Sequence, residues 1–345
     1  MATCSAVVPA VGTAVTPLID LPPQLAYEST ANARLADAEH SVDLLLSTGR
    51  LDGVRLWDTL AEASERGVAV RVLVDASDWA PEITEGNEAV ISSLRARGVD
   101  ARYDLPEITT HAKLLIIDRR IVVVGSSNWN RYALTEHRQA SLLVEDLQVA
   151  AAFSEYFERL WNDELPPGGI ELPAVSLPVE APTLLPLPDT VDSTLYADVV
   201  LRCLHAARES VHVVMYRMSY YSTFRDSLSN QLLQALVGAS RRGLDVRVIL
   251  DDCAPYESSL RANLEAAMML HFQGVEVRMD RPDVTTHAKL VVVDRETVFV
   301  GSTNWNYYSL EQNNEASVAV LGAPDVAAPF EAFFETLWVT CRALP

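Results

Sequence analysis

The chain of 345 residues contains one segment twice, and this internal repeat constrains its fold more than any other feature of the sequence. The segment THAKLLIIDRRIVVVGSSNWN occupies residues 110–130, and THAKLVVVDRETVFVGSTNWN occupies residues 286–306. The same offset of 176 residues aligns VRVLVD, which ends at Asp75, with VRVILD, which ends at Asp251. A long repeat of this kind indicates two copies of one structural unit in tandem.

Prolines cluster between the two copies and divide the chain into segments. Residues 165–190 are proline-rich, which is typical of an extended linker without helices. We therefore predict a first domain over residues 24–164 and a second over residues 191–345. Residues 1–23 are predicted to be a flexible tail; they contain no basic residue, which makes them a poor match to an export signal.

Within each copy, short apolar runs alternate with helical patterns. In the first copy, residues 41–47 and 68–75 are predicted strands, and residues 53–66 and 87–97 are predicted helices. Further apolar runs flank a predicted hairpin turn at residues 119–120. Strands that alternate with helices predict an α/β fold, in which each copy is a mixed β-sheet with helices on both faces.

The repeated core reads HxK(x)4D followed by GSxN, and the whole motif lies on the predicted hairpin. A two-residue turn would set the pairing of its two strands. The predicted cross-strand pairs are His111 with Asn128 and Lys113 with Ser126, and in the second copy His287 with Asn304 and Lys289 with Ser302. Histidine and lysine two positions apart point to one face of a strand, so each copy places an imidazole, an ammonium, a hydroxyl and an amide on one patch.

These groups suit a phosphate ester. Lysine supplies a compact positive charge, serine and asparagine supply neutral hydrogen bonds, and histidine can attack phosphorus or carry a proton near neutral pH. Lys113 and Lys289 are the only lysines among 27 basic residues, so a chain that otherwise uses arginine keeps lysine at two equivalent positions. A lone histidine on a strand is more often structural, but this doubled set of residues favours a catalytic site.

Charge and cysteine content narrow the class of protein. The net charge of −20 disfavours a nonspecific nucleic-acid binder, although it leaves room for a nuclease with a local basic groove. The four cysteines form neither a CxxC pair nor a Cys/His ligand pattern, so we expect no metal, no cofactor and a reducing compartment. No run of 18 apolar residues occurs, so we predict a soluble, cytoplasmic protein; export from a different start site is the alternative.

The doubled HxK(x)4D motif followed by GSxN resembles the phospholipase D superfamily over most of residues 41–338. The resemblance implies two domains related by a pseudo-twofold axis, with both motifs in one cleft. It also implies a metal-independent ping-pong reaction, in which one histidine forms a phosphohistidine while the other protonates the leaving oxygen and then activates water or an alcohol. His111, Lys113, His287 and Lys289 match the catalytic residues of that superfamily.

Many members of the superfamily place a carboxylate behind each histidine, and this chain departs from that pattern. Glu315 matches the position in the second copy, whereas Gln139 stands there in the first. We interpret Glu315 as the partner of His287, where a carboxylate would raise the pKa and favour the general acid. His111, backed by an amide, would then be the neutral nucleophile, and Glu136 could replace the missing carboxylate.

Two further features have structural interpretations beside functional ones. Asp118 and Asp294 have the opposite strand parity to the histidines, so we expect them to brace the hairpin rather than to contact phosphate. The second copy also carries about seven extra residues in the region of residues 216–225. Its aromatic residues and arginines could bind a base or a lipid headgroup, or could form an ordinary packed loop.

Three functions remain open from the sequence. The first is a phospholipase D-type hydrolase or phosphatidyltransferase acting on a phosphodiester, with phospholipid favoured and peripheral membrane contact possible in principle. The second is a nuclease of the same superfamily that cleaves DNA or RNA. The third is an inactive phosphate-binding module, which the two intact motifs disfavour. A monomer is expected because one chain carries both halves of the site.

Overall fold

The computed structural model describes residues 13–76, 81–164, 177, 179–252 and 256–344. Within them, each copy of the repeat contributes one mixed β-sheet with helices packed against it. Each sheet combines a group of parallel strands with a group of antiparallel strands, which confirms the predicted α/β class.

The first sheet is built from seven strands. These are β1 (Ala14–Asp20), β2 (Ser41–Leu46), β3 (Ala69–Val74), β4 (Asp100–Tyr103), β5 (Lys113–Ile117), β6 (Ile121–Gly125) and β7 (Gln139–Glu145). Their order in the sheet is β1-β7-β6-β5-β2-β3-β4. Strands β2, β3 and β4 are parallel, and the remaining neighbours pair antiparallel.

The second sheet repeats this arrangement and adds a short edge strand. Its strands are β8 (Thr183–Asp189), β9 (Ser210–Met215), β10 (Asp245–Leu250), β11 (Glu276–Met279), β12 (Lys289–Val293), β13 (Thr297–Gly301), β14 (Glu315–Leu321) and β15 (Arg342–Ala343). The order is β15-β11-β10-β9-β12-β13-β14-β8. The motif hairpin β12–β13 therefore occupies the same place as β5–β6 in the first sheet.

The helices also occur in equivalent places in the two copies. They are α1 (Tyr27–Ala36), α2 (Arg55–Glu65), α3 (Pro81–Ala96), α4 (Arg131–Thr135), α5 (Leu147–Trp161), α6 (Leu195–Ala206), α7 (Leu228–Arg241), α8 (Glu257–Phe272), α9 (Tyr307–Glu311) and α10 (Pro324–Trp338). The predicted helices of the first copy correspond to α2 and α3. Helix α3 starts six residues earlier than predicted, at Pro81, a residue suited to the first helical turn.

Strands β1 and β8 correct two predicted segments. Ala14–Asp20 belongs to the predicted tail but pairs with β7, and Thr183–Asp189 belongs to the predicted linker but pairs with β14. Both are edge strands, where a proline such as Pro186 can be accommodated, so proline content was a misleading signal. Residues 1–12 of the predicted tail and residues 165–176 and 178 of the predicted linker lie outside the described residues.

Each of these edge strands ends in an aspartate whose carboxylate accepts hydrogen bonds from the start of the following helix. The Asp20 carboxylate accepts a hydrogen bond from the Tyr27 amide at 3.0 Å. Asp189 accepts one from the Tyr196 amide at the same distance of 3.0 Å. Such carboxylates satisfy amides that a first helical turn leaves unpaired. The structural repeat therefore begins at β1 and β8, upstream of the strands that the sequence comparison aligned.

The turn of the motif hairpin is longer than predicted. Ile117 pairs with Ile121, so three residues connect the strands instead of two. Asp118 and Arg119 both have positive φ, at 52° and 51°, and the next amide donates to the Ile117 carbonyl at 3.0 Å. Positive φ at both central residues is typical of a type I′ turn, here followed by one additional residue.

The additional residue shifts the register of both hairpins by one position. Pairing runs from Leu114 opposite Val124 in the first copy and from Leu290 opposite Val300 in the second. The predicted direct pairs between histidine and asparagine and between lysine and serine are therefore wrong by one residue. The motif side chains still converge, because they follow the same strand ends.

The two sheets pack against each other through one apolar layer that both copies share. Residues of the two hairpins meet there with the aromatic residues of α5 and α10. Its buried members include Leu114, Ile116, Val122, Val124, Phe153, Phe157, Leu290, Val292, Val298, Val300, Phe330 and Phe334. Burying side chains of this size is worth about 1.5–3 kcal/mol each. This layer holds the two motif hairpins together, so the ends that carry the histidines meet.

Candidate active site

The backbone around each motif histidine is held by the other copy of the repeat. The amide of His111 donates to the carbonyl of Asn314 at 2.9 Å, and the amide of His287 donates to the carbonyl of Arg138 at 2.9 Å. Each contact forms part of a short parallel bridge between the two copies. The segment that follows GSxN in one copy therefore runs beside the histidine of the other.

This crossing reverses the predicted partners of the histidines. The Nδ1 atom of His111 lies 3.0 Å from both carboxylate oxygens of Glu315. The Nδ1 atom of His287 lies 2.9 Å from the carbonyl oxygen of Ser126 and 3.2 Å from Oε1 of Gln139. The prediction that Glu315 lies behind His287 is therefore wrong, because the bridges exchange the two segments between copies.

The alternative partner suggested for His111 lies elsewhere. Glu136 is exposed, and its carboxylate forms an ion pair with Arg131 at 3.3 Å. The carboxylate behind His111 is supplied by the second copy alone, through Glu315.

The partners of the two imidazoles define their orientation. A carboxylate and a carbonyl both accept hydrogen bonds, so Nδ1 carries the proton in each ring. The other ring nitrogen, Nε2, then holds the lone pair of the neutral imidazole. The two histidines thus have the same tautomer, and the group behind Nδ1 differs between them.

Burial and neighbouring charges set the ionisation of these groups. Burial lowers the pKa of His111, although Glu315 opposes the effect. Burial and the two lysines lower the pKa of His287 well below its ordinary value. Burial also disfavours ionised Glu315, but the adjacent His111 and Lys113 together outweigh it and hold the carboxyl pKa below normal. The site therefore favours an ionised Glu315 and a neutral His287.

The two lysines lie within the same cluster as the histidines. Lys113 and Lys289 are each 2% exposed, and each Nζ donates to the carbonyl of the histidine two residues earlier, at 2.6 Å for Lys289. Both lysines act electrostatically on both histidines, so the four groups form one site. Burial lowers the pKa of Lys113 to about 7. A bound phosphate anion would favour its charged form.

The motif serines lie behind the histidines, next to the side chains that contact the imidazoles. Ser126 and Ser302 are both fully buried. The Ser126 hydroxyl donates to Oε1 of Gln139 at 2.7 Å, and the Ser302 hydroxyl donates to Glu315. Each hydroxyl therefore orients the side chain that backs a histidine, and the prediction that these serines also bind phosphate stays a prediction.

The motif asparagines differ from the serines in the hydrogen bonding of their side-chain oxygens. The Oδ1 atoms of Asn128 and Asn304 are buried and accept no hydrogen bond from any described residue. Buried polar atoms are seldom left in this state. An amide oxygen accepts hydrogen bonds, as phosphate oxygens do, so this atom does not itself bear on a phosphate contact. The prediction that these two residues bind phosphate stays a prediction.

The motif aspartates brace the hairpin, as the sequence predicts. Asp118 accepts backbone hydrogen bonds from Glu39, His40 and Ser41, at 3.0, 2.7 and 2.9 Å. Asp294 does the same with the amides of residues 208–210 at the start of β9, among them Ser210 at 3.1 Å. These carboxylates join the hairpin turn to the neighbouring strand and point away from the histidines.

Two buried aspartates support the site without having been selected from the sequence. Asp75 accepts the amide of Thr110 at 2.8 Å, and Asp251 accepts the amide of Thr286 at 2.6 Å. Each therefore holds the residue immediately before a motif histidine. Their equivalent positions in the repeat were a signal that could have identified them.

The two bridges between copies carry different side chains. At one, Arg138 forms an ion pair with buried Asp280, in which one guanidinium nitrogen, Nη1, lies 2.6 and 2.7 Å from the two carboxylate oxygens. At the other, the uncharged amide of Asn314 donates to the hydroxyl of Thr110 at 3.0 Å. Asp104 stands where the second copy has Asp280, and burial raises its pKa to about 7.

Aromatic side chains lie beside His287. The ring of Tyr216 lies 4.6 Å from the His287 ring, measured between centroids, and the ring of His137 lies 6.3 Å away. Burial and Lys289 lower the pKa of His137 to about 4, so this second imidazole is neutral near pH 7. Tyr216 is the last residue before the stretch in which the second copy carries its extra residues, so the start of this region reaches the site.

A separate cluster has the donor atoms of a metal site, but an arginine already balances the negative charge of its carboxylates. His212, Glu331 and Glu335 offer ligand atoms within 4.8 Å of one another. Arg247 lies 2.8 Å from Nε2 of His212 and 2.7 Å from Glu335, so its guanidinium supplies the positive charge there. An equivalent network surrounds Arg71 in the first copy. We interpret the cluster as structural.

The paired sheets, the shared apolar layer and the crossed histidines define a two-motif, pseudo-twofold protein of the phospholipase D fold. The family model described as cardiolipin synthase, PLD-like domain, matches residues 32–161 and 200–338. These two segments cover most of the chain and coincide with the two copies of the repeat. The chain belongs to this phospholipase D-like family.

Curated relatives match parts of the chain. The mitochondrial cardiolipin hydrolase of Homo sapiens is 33% identical over 128 residues, which are 37% of this chain and 48% of that protein. The 5'-3' exonuclease PLD3 of Xenopus tropicalis is 30% identical over 152 residues, which are 40% of this chain and 29% of that protein. The chain thus spans about half or less of the length of these relatives.

Solved structures share the fold over nearly the whole chain. Phosphatidylserine synthase from Haemophilus influenzae Rd KW20 has a TM-score of 0.70 at 13% identity, covering 92% of this chain and 85% of that one. Polyphosphate kinase from Porphyromonas gingivalis has a TM-score of 0.63 at 12% identity, covering 96% of this chain and 49% of that one. At these identities the likeness concerns the fold alone. Among the described residues, no helix is both long enough and apolar enough to cross a membrane.

Proposed function

We propose that this protein is a metal-independent phosphodiesterase of the phospholipase D type, which hydrolyses or transfers a phosphodiester through a phosphohistidine. The observation that carries the proposal is the single cluster formed by His111, Lys113, His287 and Lys289, in which both imidazoles direct Nε2 away from their Nδ1 partners. Phosphoryl transfer needs positioned charges, a nucleophile and a proton donor, and this cluster supplies all three.

We assign the nucleophile to His111. Attack by its Nε2 on phosphorus forms an N–P bond and leaves a positive charge on the ring, which still holds the Nδ1 proton. The ionised carboxylate of Glu315, 3.0 Å from Nδ1, stabilises that charge. No such carboxylate backs His287, whose Nδ1 faces a carbonyl. The assignment agrees with the sequence prediction, but the reason given for it there has been replaced.

We assign acid and base catalysis to His287. In the first step its protonated Nε2 gives the proton to the leaving oxygen as the P–O bond breaks. In the second step the neutral ring takes a proton from water or an alcohol, whose oxygen attacks phosphorus as the N–P bond breaks. Its lowered pKa makes the protonated ring a strong acid, and the phosphate anion of the substrate favours the protonated form.

Phospholipid is the substrate class that we favour. The matching family model is described as a cardiolipin synthase domain, and several relatives are named cardiolipin hydrolases. A net charge of −20 would repel nucleic acid outside a local groove. The second candidate is a nuclease, which the relative named as a 5'-3' exonuclease supports. Because one chain supplies both motifs, we propose that a monomer suffices for activity.

The test of the reaction uses bis(p-nitrophenyl) phosphate in the presence of EDTA. The wild-type protein should release p-nitrophenolate at a rate that EDTA leaves unchanged. His111→Asn and His287→Asn should each lower steady-state turnover by about 10³-fold or more. The control His205→Asn alters an exposed helical histidine and should keep full activity. Full activity in either motif variant would overturn the shared two-histidine site.

The two variants also distinguish the roles of the histidines. The p-nitrophenolate group leaves without an acid, so His287→Asn should still release one equivalent per chain and then stall. Mass spectrometry of the alkali-quenched protein should find the phosphoryl adduct on His111. His111→Asn should show no such burst. An adduct on His287 would exchange the two assignments.

The substrate class is decided by direct competition. Vesicles that contain cardiolipin or phosphatidylcholine are compared with single-stranded DNA and RNA oligonucleotides at equal phosphodiester concentration. Phospholipid cleavage with inert oligonucleotides supports the favoured class, whereas the opposite outcome establishes the nuclease. Inactivity toward all of these and toward the aryl ester would favour the binding-module alternative.

A further inference from the structure

One position in the site has the same backbone in both copies but very different side chains. Ser47 follows β2 and its amide donates to the carbonyl of Ala112 at 3.1 Å. Tyr216 follows β9 and its amide donates to the carbonyl of Ala288 at 3.1 Å. Ala112 and Ala288 lie between the motif histidine and lysine of their copies. Ser47 and Tyr216 are therefore equivalent residues, each beside one half of the site.

The surrounding hydrogen bonds are also duplicated. The side chain of Asn87 donates to the carbonyl of Ser47 at 2.9 Å, and that of Asn263 donates to the carbonyl of Tyr216 at 2.8 Å. Both asparagines bond the ends of the adjacent parallel strands as well. The backbone is therefore held in the same way at the two positions. They differ in the side chain, which is a small hydroxyl at Ser47 and a phenol at Tyr216.

The phenol ring covers the catalytic pair of the second motif. Its centroid lies 4.6 Å from that of the His287 ring, with the planes inclined by 59°. The same ring lies 4.7 Å from Nζ of Lys289, within the range of a cation–π contact. Tyr216 is only partly buried, so the ring keeps surface for another molecule.

The opposite flank of His287 is also aromatic. His137, on the segment that crosses from the first copy, lies 6.3 Å from the His287 ring. Its counterpart beside His111 is Asn313, whose side chain instead donates to Glu315 at 3.3 Å. The His287 half is thus bordered by two rings, whereas the His111 half is bordered by a serine and an asparagine.

We propose that Tyr216 is a specificity-determining residue that, with His137, forms a subsite for an uncharged aromatic or apolar alcohol beside His287. The inference rests on the proposed function. The alcohol that leaves and the alcohol or water that enters both exchange their proton with His287, so both occupy this half. The retained phosphoryl group stays on His111, on the side of Ser47. Flat or apolar alcohols gain contact with the rings, and small alcohols do not.

The subsite is tested by the fate of one common intermediate. With bis(p-nitrophenyl) phosphate as donor, the phosphohistidine partitions between benzyl alcohol and methanol present together at equal concentration. In each case the alcohol oxygen bonds to phosphorus, the N–P bond breaks and the proton passes to His287. Because the ratio of the two ester products comes only from turning-over molecules, loss of folded protein does not change it.

Wild type should prefer benzyl alcohol, and Tyr216→Phe should keep that preference because the ring remains. Tyr216→Ser copies the first half of the site and should lower the ratio about fivefold to tenfold. Tyr216→Leu, which retains apolar bulk, should lower it less and replaces the serine variant if that variant is inactive. The control Tyr132→Ser removes an aromatic ring that is 51% exposed and should leave the ratio unchanged.

The outcomes separate this inference from the proposed function. An unchanged ratio in the active serine or leucine variant overturns the subsite and leaves the phosphodiesterase intact. Wild type that hydrolyses the donor but forms no benzyl ester also overturns the subsite. Wild type that forms no product from any donor overturns the proposed function, and the subsite with it.

Discussion

The half of the site around His111 and the half around His287 share one backbone arrangement and differ in what stands behind and beside the imidazole. An ionised carboxylate backs His111, whereas a carbonyl and an amide back His287. Among the residues that the structure describes, aromatic rings flank His287 and not His111. A duplicated unit can thus keep two identical side chains and still give them different surroundings, because the neighbouring residues change while the scaffold does not.

The bridges that hold the halves together differ in the same way. One contains the buried ion pair of Arg138 and Asp280, and the other contains neutral Asn314 with Asp104, whose pKa is raised to about 7 by burial. Charge therefore stabilises one crossing and is largely avoided at the other. The following variants test these differences by making the halves alike or by exchanging their properties.

The same substitution should have opposite effects on stability in the two halves. Asp280→Asn removes the carboxylate that neutralises buried Arg138, so we expect a loss of about 3–5 kcal/mol in the free energy of unfolding. Asp104→Asn should instead stabilise the protein by about 1–3 kcal/mol at pH 8, since it removes a carboxyl group that is costly to ionise. Urea denaturation followed by circular dichroism measures both.

The effect of Asp104→Asn should depend on pH in a defined direction. The carboxyl pKa is about 7 in the folded state and 3.8 in the reference state. The folded form therefore keeps a proton that the unfolded form loses, and its stabilising contribution is complete below pH 3.8 and lost as pH rises through 7. The advantage of asparagine should grow over this interval; a constant difference between pH 4 and pH 8 would contradict it.

Giving both histidines the same kind of partner at Nδ1 should have the next largest effect, a loss of activity. Glu315→Gln leaves an amide behind both histidines, so the cation formed on His111 loses its carboxylate. We expect both the p-nitrophenolate burst and steady-state turnover to slow by about 100-fold. A burst at the wild-type rate followed by slow hydrolysis would place the carboxylate with the acid–base step instead.

The reverse substitution, which adds a carboxylate in place of an amide, should have a smaller effect on activity, seen as a shift of the pH profile. Gln139→Glu adds a carboxylate behind His287, which should raise the imidazole pKa by about one unit. Since His287 acts as the acid, the alkaline limb of kcat/KM for a substrate with an alkyl leaving group should move about one unit to higher pH. An unmoved limb would show that another group supplies the proton. Some stability should be lost, because glutamate cannot donate to the Ala133 carbonyl as Gln139 does at 3.2 Å.

Features that depend on residues close together in the sequence were predicted well. The motif hairpin, the helices that precede it and the brace role of Asp118 follow from turn residues, apolar runs and strand parity. The register was wrong by one residue, because Asp118 takes up a positive φ that the sequence pattern does not mark. Strands β1 and β8 were missed because prolines are compatible with an edge strand as well as with a linker.

The sequence by itself determined the groups to which we assign the chemistry, since the repeat singles out one histidine and one lysine in each copy and keeps no other lysine. Only the tertiary structure decided which partner each histidine has. Glu315 reaches His111 across 204 residues, because the two sheets pack through a shared apolar layer and exchange the segments that follow their hairpins. Offsets within a repeat relate equivalent positions in the two copies, whereas a contact across the pseudo-twofold axis joins positions that no local pattern connects.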